Sequence, residues 1–131
     1  MVNFGYTINY VDEVDKALSF FEKAFDIKRR FLTDEKDYGE LDTGATVLAF
    51  ASHKLGQSNF SGGYVSATDS KKPLGTEIVL VTNEVQLIHE NAIKNGAVEL
   101  KAPEEKPWGQ TVSYIRCPSG ILIELCTPIT Q

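Results

Sequence analysis

The sequence has little of what would tie it to a charged polymer, a membrane or an oxidising compartment. Of its 131 residues only 13 are Lys or Arg, against 18 Asp or Glu, for a net charge of −5. Binding a nucleic-acid backbone needs clustered cations, so that class of partner is disfavoured. The single basic cluster, Lys28-Arg29-Arg30, reads as a solvated strand face. No apolar run approaches the ~18 residues of a membrane span. The start, Met1-Val2-Asn3-Phe4-Gly5, lacks the charged beginning and apolar middle of a secretory signal. The expectation is a cytoplasmic protein with neither nucleic-acid nor membrane partners. Cysteine is scarce too, with two residues in all. Cys117 and Cys126 are expected as reduced thiols on the two arms of one hairpin, turning at Pro118-Ser119-Gly120 and separated by more than a disulfide can bridge.

What is present is ordinary globular material: 42% hydrophobic and 24% charged residues in a length that suits one domain. Residues 4–11 are aromatic and β-branched, as in a strand. Asp12 is placed to cap a helix over about 13–25, where Val14, Ala17, Leu18, Phe21, Ala24 and Phe25 form one apolar stripe. Strands are predicted over 27–33, 38–42 and 46–52, separated by Asp34-Glu35-Lys36-Asp37 and Thr43-Gly44. Residues 53–74 lose the apolar periodicity and read as a linker, either a functional lid or a disordered connection. The first pattern then returns: a strand at 76–81, a helix capped by Asn83 and stopped at Gly96, and strands at 98–101, 110–116 and 121–127.

This return is the most specific signal in the chain. Glu13-Val14 recurs as Glu84-Val85 at an offset of 71 residues, and Leu48-Ala49-Phe50 corresponds to Ile123-Glu124-Leu125 at an offset of 75. Two stretches carry a resemblance. Tyr6 to Phe21 is similar to the first strand and helix of the glyoxalase, bleomycin-resistance and extradiol-dioxygenase (vicinal oxygen chelate) superfamily. The stretch from Pro107-Trp108-Gly109-Gln110 through Cys117-Pro118-Ser119-Gly120 to Ile123-Glu124-Leu125 resembles its closing hairpin. Cys117 and Ser119 stand where acidic residues are usual. The resemblance implies an α+β fold of tandem βαβββ modules forming a cup-shaped mixed sheet. One domain over 1–131 would hold module 1 at about 1–52, the linker at 53–74 and module 2 at about 75–131. It also implies a homodimer, with the modules paired within a chain or by swapping.

In metal-using members of that superfamily four strand positions hold one divalent ion. Here they fall on Tyr6, Ala49, Glu77 and Glu124. Ala49 has no donor, and Tyr6 would have to ionise far below its usual pKa of about 10. His53, in the linker, and His89, mid-helix, read as ordinary surface or helix histidines. No cofactor is expected, although Glu77 and Glu124 with waters could hold a divalent metal weakly.

Alternation along the strands sends Tyr6, Ile8 and Tyr10, Val47, Ala49 and Ala51, and Leu122, Glu124 and Cys126 to the side away from the helices. The expected ligand-binding set is Tyr6, Ile8, Tyr10, Val47, Ala49, Glu77, Trp108, Leu122 and Glu124. Apolar and aromatic groups with two acids suit a small aromatic or cationic organic molecule. Phe60 and Tyr64 either fold over the mouth or face a partner. The rival expectation is a glyoxalase-type lyase or isomerase in which Glu124 is the catalytic acid–base, with a weakly held metal.

Overall fold

A computed structural model describes residues 1–129. It divides into two compact units, residues 1–66 and the described residues from 67 on, each built as strand, helix and three strands.

In the first unit, β1 (Tyr6–Val11) leads into α1 (Val14–Phe25), followed by β2 (Arg29–Leu32), β3 (Tyr38–Leu41), β4 (Val47–Ser52) and the short α2 (His53–Gln57). The sheet order is β1-β4-β3-β2. β1 pairs parallel with β4, Tyr6 opposite Val47 and Ile8 opposite Ala49. A parallel pair cannot be joined by a tight turn, so α1 and the β2–β3 hairpin fill the crossover. Helix α1 covers one face only. Leu18, Phe21 and Ala24 are buried with Leu48 and Phe50, and the Phe21 and Phe50 rings lie 5.3 Å apart. Arg29 clamps the flank of α1, donating to Asp15, Ser19 and Glu22 at 2.8–3.1 Å.

The second unit repeats the order with β5 (Glu77–Val81), α3 (Val85–Lys94), β6 (Val98–Glu105), β7 (Thr111–Arg116) and β8 (Leu122–Cys126). Its sheet runs β5-β8-β7-β6, with β5 parallel to β8. Ile115, Ile123 and Leu125 are fully buried beside Val85 and Ala92 of α3. The outer strand β6 is longer than its predicted 98–101. Two register shifts and the charges of Glu99, Lys101, Glu104 and Glu105 run along it, a combination that discourages further strand pairing.

Several expectations are corrected here. Asp12 does not cap α1: the cap is Glu13, with no side-chain bond to the helix, because the Asp12 carboxylate is taken by His53 (2.9 Å). Asn83 does not cap α3 either; Glu84 occupies that place, again without a side-chain bond. His89 is no ordinary surface histidine. It is buried, with Nδ1 against Ser113 Oγ (2.9 Å) and Nε2 against Glu99 (2.8 Å). Cys117 and Cys126 are both free thiols. No helix among the described residues is long and apolar enough to cross a membrane.

The segment 53–74 is docked rather than loose. Ser52 accepts from the Leu55 N–H and starts α2; Gly56 then sits so close to the Tyr10 ring that a Cβ would fall 2.7 Å from it. Tyr64 stacks on Tyr10 at 4.8 Å and hydrogen-bonds His53 Nδ1 at 2.8 Å. The remainder belongs to the second unit, where Arg116 donates to the carbonyls of Ala67 (2.7 Å) and Ser70 (2.9 Å). Gly120 stands against the same strap: its φ is +85° and an added Cβ would lie 2.6 Å from the Ala67 carbonyl. Gly120→Ala therefore combines left-handed strain with a backbone clash. It should lower unfolding stability by about 2–4 kcal/mol, read as a shift in the urea midpoint.

Candidate functional site

Because α1 and α3 each cover one face of their sheet, every second residue of each strand is left on the opposite face, free of helix except where α2 meets Tyr10. These two faces carry the chemistry, and they differ.

On the second sheet, Glu77 and Val79 of β5, Leu122, Glu124 and Cys126 of β8, and Val112 and Tyr114 of β7 point away from α3. Registry puts Val79 beside Glu124 and Tyr114 on its other side. The Tyr114 hydroxyl donates to Glu124 Oε1 at 3.0 Å. Glu77, on the neighbouring strand β5, lies close enough to Glu124 for the two acids to influence each other. Partial desolvation, followed by the nearby Glu124, raises the Glu77 carboxyl above its ordinary range. Burial and the same glutamate raise the Tyr114 phenol, and burial followed by the Glu124 charge raises the Cys126 thiol. Both groups are held in their protonated, donating forms. The face carries two neighbouring acids with Tyr114 bonded to one of them, set among Val79, Val112 and Leu122.

Trp108 lies in the turn between β6 and β7. It is two-thirds exposed, and its indole N–H donates to Gln110 Oε1 at 2.9 Å. Gln110 in turn donates to the Thr127 carbonyl (2.8 Å) beyond β8. The tryptophan is thus tied to the end of the acid-bearing strand with its ring free.

On the first sheet, Tyr6 and Ile8 are exposed, whereas Val47 and Ala49 are buried. Tyr10 shares this face, but its ring is occupied: Tyr64 stacks on it, Gly56 packs against it and Asn59 donates to its hydroxyl at 3.1 Å. Phe60 is exposed, while Tyr64 serves as packing for Tyr10.

Two residues absent from the sequence reading dominate this face. Glu40 of β3 is directly opposite Ala49 and is buried, with the Tyr38 hydroxyl donating to its Oε2 at 2.6 Å. Burial, followed by this bond, raises the Tyr38 phenol. Strand alternation applied to β3 would have found both. Where the second sheet has its acid on the last strand with a tyrosine beside it on β7, the first has alanine on the last strand and its acid on β3.

These donors do not fit a tightly held metal. Ala49 offers nothing, Tyr6 is largely exposed, and Glu77 and Glu124 leave only two carboxylates, too few for a tight site. Among the described residues no group of three His, Cys, Asp or Glu side chains could hold a metal ion.

Comparison with known proteins places the fold. The sequence model described as the glyoxalase-like domain matches residues 4–130. A glyoxalase-related enzyme from Fulvimarina pelagi superposes with a TM-score of 0.81 at 16% identity, covering 98% of this chain and 89% of that one. A glyoxalase/bleomycin resistance protein/dioxygenase family enzyme from Burkholderia phytofirmans PsJN gives 0.73 at 18% identity over 98% and 100%. A superfamily member from Sphaerobacter thermophilus gives 0.69 at 19% over 98% of each chain. No curated protein matches the sequence significantly. At these identities the structural likeness speaks for the fold alone.

The raised Glu77 carboxyl has a definite consequence for stability. Between its unfolded value, near 4.5, and its higher folded value, the folded chain binds more proton than the unfolded one. Stability should therefore fall as pH rises through that window. Glu77→Gln should remove this decline and leave the variant relatively more stable at neutral than at acidic pH, as followed by urea midpoints across pH.

Proposed function

Since the chain belongs to the family of glyoxalase-like domains, and its fold is the glyoxalase/bleomycin resistance-like one, we propose that it binds a small aromatic or cationic organic molecule without a resident metal. The observation that carries this reading is the Glu77–Glu124 pair, joined by Tyr114 and framed by Val79, Val112 and Leu122. A ligand cation would be drawn to both carboxylates at once. The apolar residues around them would raise the strength of that contact by lowering the local dielectric. Trp108 supplies a free ring at the edge of the same unit for an aromatic body. A homodimer rests on the family resemblance alone, and sedimentation equilibrium checks it.

Three measurements test the proposal. Cationic aromatic compounds should quench the fluorescence of Trp108, the sole tryptophan, saturably. Glu77→Gln and Glu124→Gln should each weaken that binding roughly ten-fold or more, the worth of one charge-assisted contact. Dialysis against cobalt or nickel should leave substoichiometric metal; tight binding of one ion per chain would overturn the metal-free reading.

The pairing of the two acids with Tyr114 also favours a second reading, in which Glu124 works as a general acid–base of a lyase or isomerase. Two neighbouring carboxyls can exchange a proton with a substrate held between them. Retention of any turnover by Glu124→Gln would remove that glutamate from the chemistry.

A further inference from the structure

In sequence Arg30 belongs with Lys28 and Arg29 to one solvated basic cluster, and the structure parts it from Arg29. Arg29 is spent on the α1 flank, with four hydrogen bonds to side chains of that helix. Arg30 is turned the other way by a break in register. Arg29 pairs with Leu41 and Phe31 pairs with Glu40, so Arg30 is the extra residue of a bulge. A bulge of this kind brings the side chain of the inserted residue onto the same face as its successor. Arg30 thereby stands beside Glu40 and Phe31 on the helix-free face of the first sheet.

The resulting pair is incomplete. Arg30 Nε and Glu40 Oε1 are 4.0 Å apart, too far for a hydrogen bond, and the arginine side chain is about half exposed while the glutamate is almost wholly covered. Glu40 Oε2 is engaged by the Tyr38 hydroxyl. Among the described residues, Oε1 accepts no hydrogen bond and the Arg30 guanidinium donates none. Oε1 is not sealed off, since Asn9 Nδ2 is the one fully buried side-chain nitrogen or oxygen without a partner among the described residues; Oε1 remains open to an incoming donor. The surroundings are apolar and aromatic: Ala49 lies opposite Glu40, Ile8 lies opposite Ala49, and the Phe31 and Tyr38 rings are 5.9 Å apart.

We propose that Arg30 and Glu40 form a clamp for a zwitterionic head group, an ammonium and a carboxylate carried on adjacent atoms as in an α-amino acid, with an apolar or aromatic remainder against Phe31. The charge pattern selects this class. A simple anion at Arg30 is repelled by Glu40, and a simple cation at Glu40 is repelled by Arg30. A net-neutral dipole laid antiparallel to the pair meets attraction at both ends. The spacing agrees. In an α-amino acid the nitrogen and the carboxylate carbon are about 2.5 Å apart. Contacts of about 2.8 Å from the ammonium to Oε1 and from the guanidinium to the carboxylate then close across a 4.0 Å gap. Tyr38 fixes the glutamate by its other oxygen, so Oε1 stays aimed at the ligand.

This clamp lies on the first sheet and does not depend on the Glu77–Glu124 reading. The test is a titration of isotope-labelled protein, followed by NMR shifts and by calorimetry, with L-phenylalanine, phenylacetate and 2-phenylethylamine. The amino acid should bind saturably, moving resonances at residues 30, 38 and 40. Read at those resonances alone, because 2-phenylethylamine is also a cationic aromatic suited to the Glu77–Glu124 face, each truncated probe should bind roughly ten-fold or more weakly, since each lacks one charge-assisted contact. Arg30→Gln should reduce L-phenylalanine to the affinity of phenylethylamine, and Glu40→Gln to that of phenylacetate. Tyr38→Phe, which leaves the strand intact and frees Oε2, should also weaken the amino acid. Equal affinity for all three probes, or variants that bind L-phenylalanine like the parent chain, would overturn the clamp. Quenching of Trp108 by cationic aromatics should be unchanged in Arg30→Gln, so the two sites succeed or fail separately.

Discussion

Parallel pairing between the first and last strand of each unit is the constraint from which the remaining features follow. A parallel pair needs a long crossover, and the crossover here is a helix plus a hairpin. One helix can shield one face of a four-stranded sheet, and the other face must be made of whatever the alternate residues supply. In the shielded rows the chain spends its large apolar side chains: Leu18, Phe21 and Phe50 in the first unit, Ile115, Ile123 and Leu125 in the second. The opposite rows are released from core packing and are free to carry acids, phenols and a guanidinium. Function in this architecture is therefore a matter of parity along a strand. A slip of one residue would exchange the two sets entirely.

The two units use that freedom differently, although they share order, registry and connection. The first buries an all-apolar stripe under α1, including the Phe21–Phe50 contact, and holds the helix from outside with Arg29. The second accepts a polar group inside, where His89 bridges Ser113 and Glu99. Such a group is tolerable because both ring nitrogens are satisfied, and removing either partner would leave a buried donor or acceptor stranded. On the helix-free faces the acid moves from the last strand in the second unit to the adjacent strand in the first. Ala49 makes that relocation possible: its methyl group leaves the space opposite it to the longer side chain of Glu40.

Much of this was legible in the sequence, for a physical reason. The αβ order and the repeat come from period-3.6 stripes and period-2 runs that tertiary packing did not override, and strand parity placed Tyr6, Ala49, Leu122 and Glu124 correctly. What stayed hidden required contacts between distant positions. Asp12 has the chemistry of a helix cap, and only a histidine 41 residues on reveals why it does not act as one. Helix α2 is five residues long and carries no apolar stripe, so periodicity could not detect it; Ser52 as its cap was the one local sign. Glu40, Tyr38 and Tyr114 were within reach of the same alternation rule. They lie on the inner strands β3 and β7, away from the first and last strands that carry the family's ligand positions. The bulge that redirects Arg30 has no signature in the string Lys28-Arg29-Arg30, since it arises from how β2 meets β3.

The segment 53–74 shows how a stretch without periodicity can still be ordered by a few polar anchors. His53 gathers Asp12 and Tyr64, so the first half of the segment is tied to the end of β1 and covers Tyr10. Arg116 gathers backbone carbonyls from Ala67 and Ser70, so the second half is tied to the β7–β8 hairpin, where Gly120 leaves no room for a side chain. Neither anchor needs an apolar face, which is why neither shows in a hydrophobicity pattern. Covering Tyr10 has a cost for function as well as a structural gain. It removes one aromatic ring from the helix-free face of the first sheet and leaves Tyr6, Phe31 and Tyr38 as the rings available there. The chemistry that remains open on that face is then centred on Glu40 rather than on the first strand, and the polar order of the linker is what shifts it.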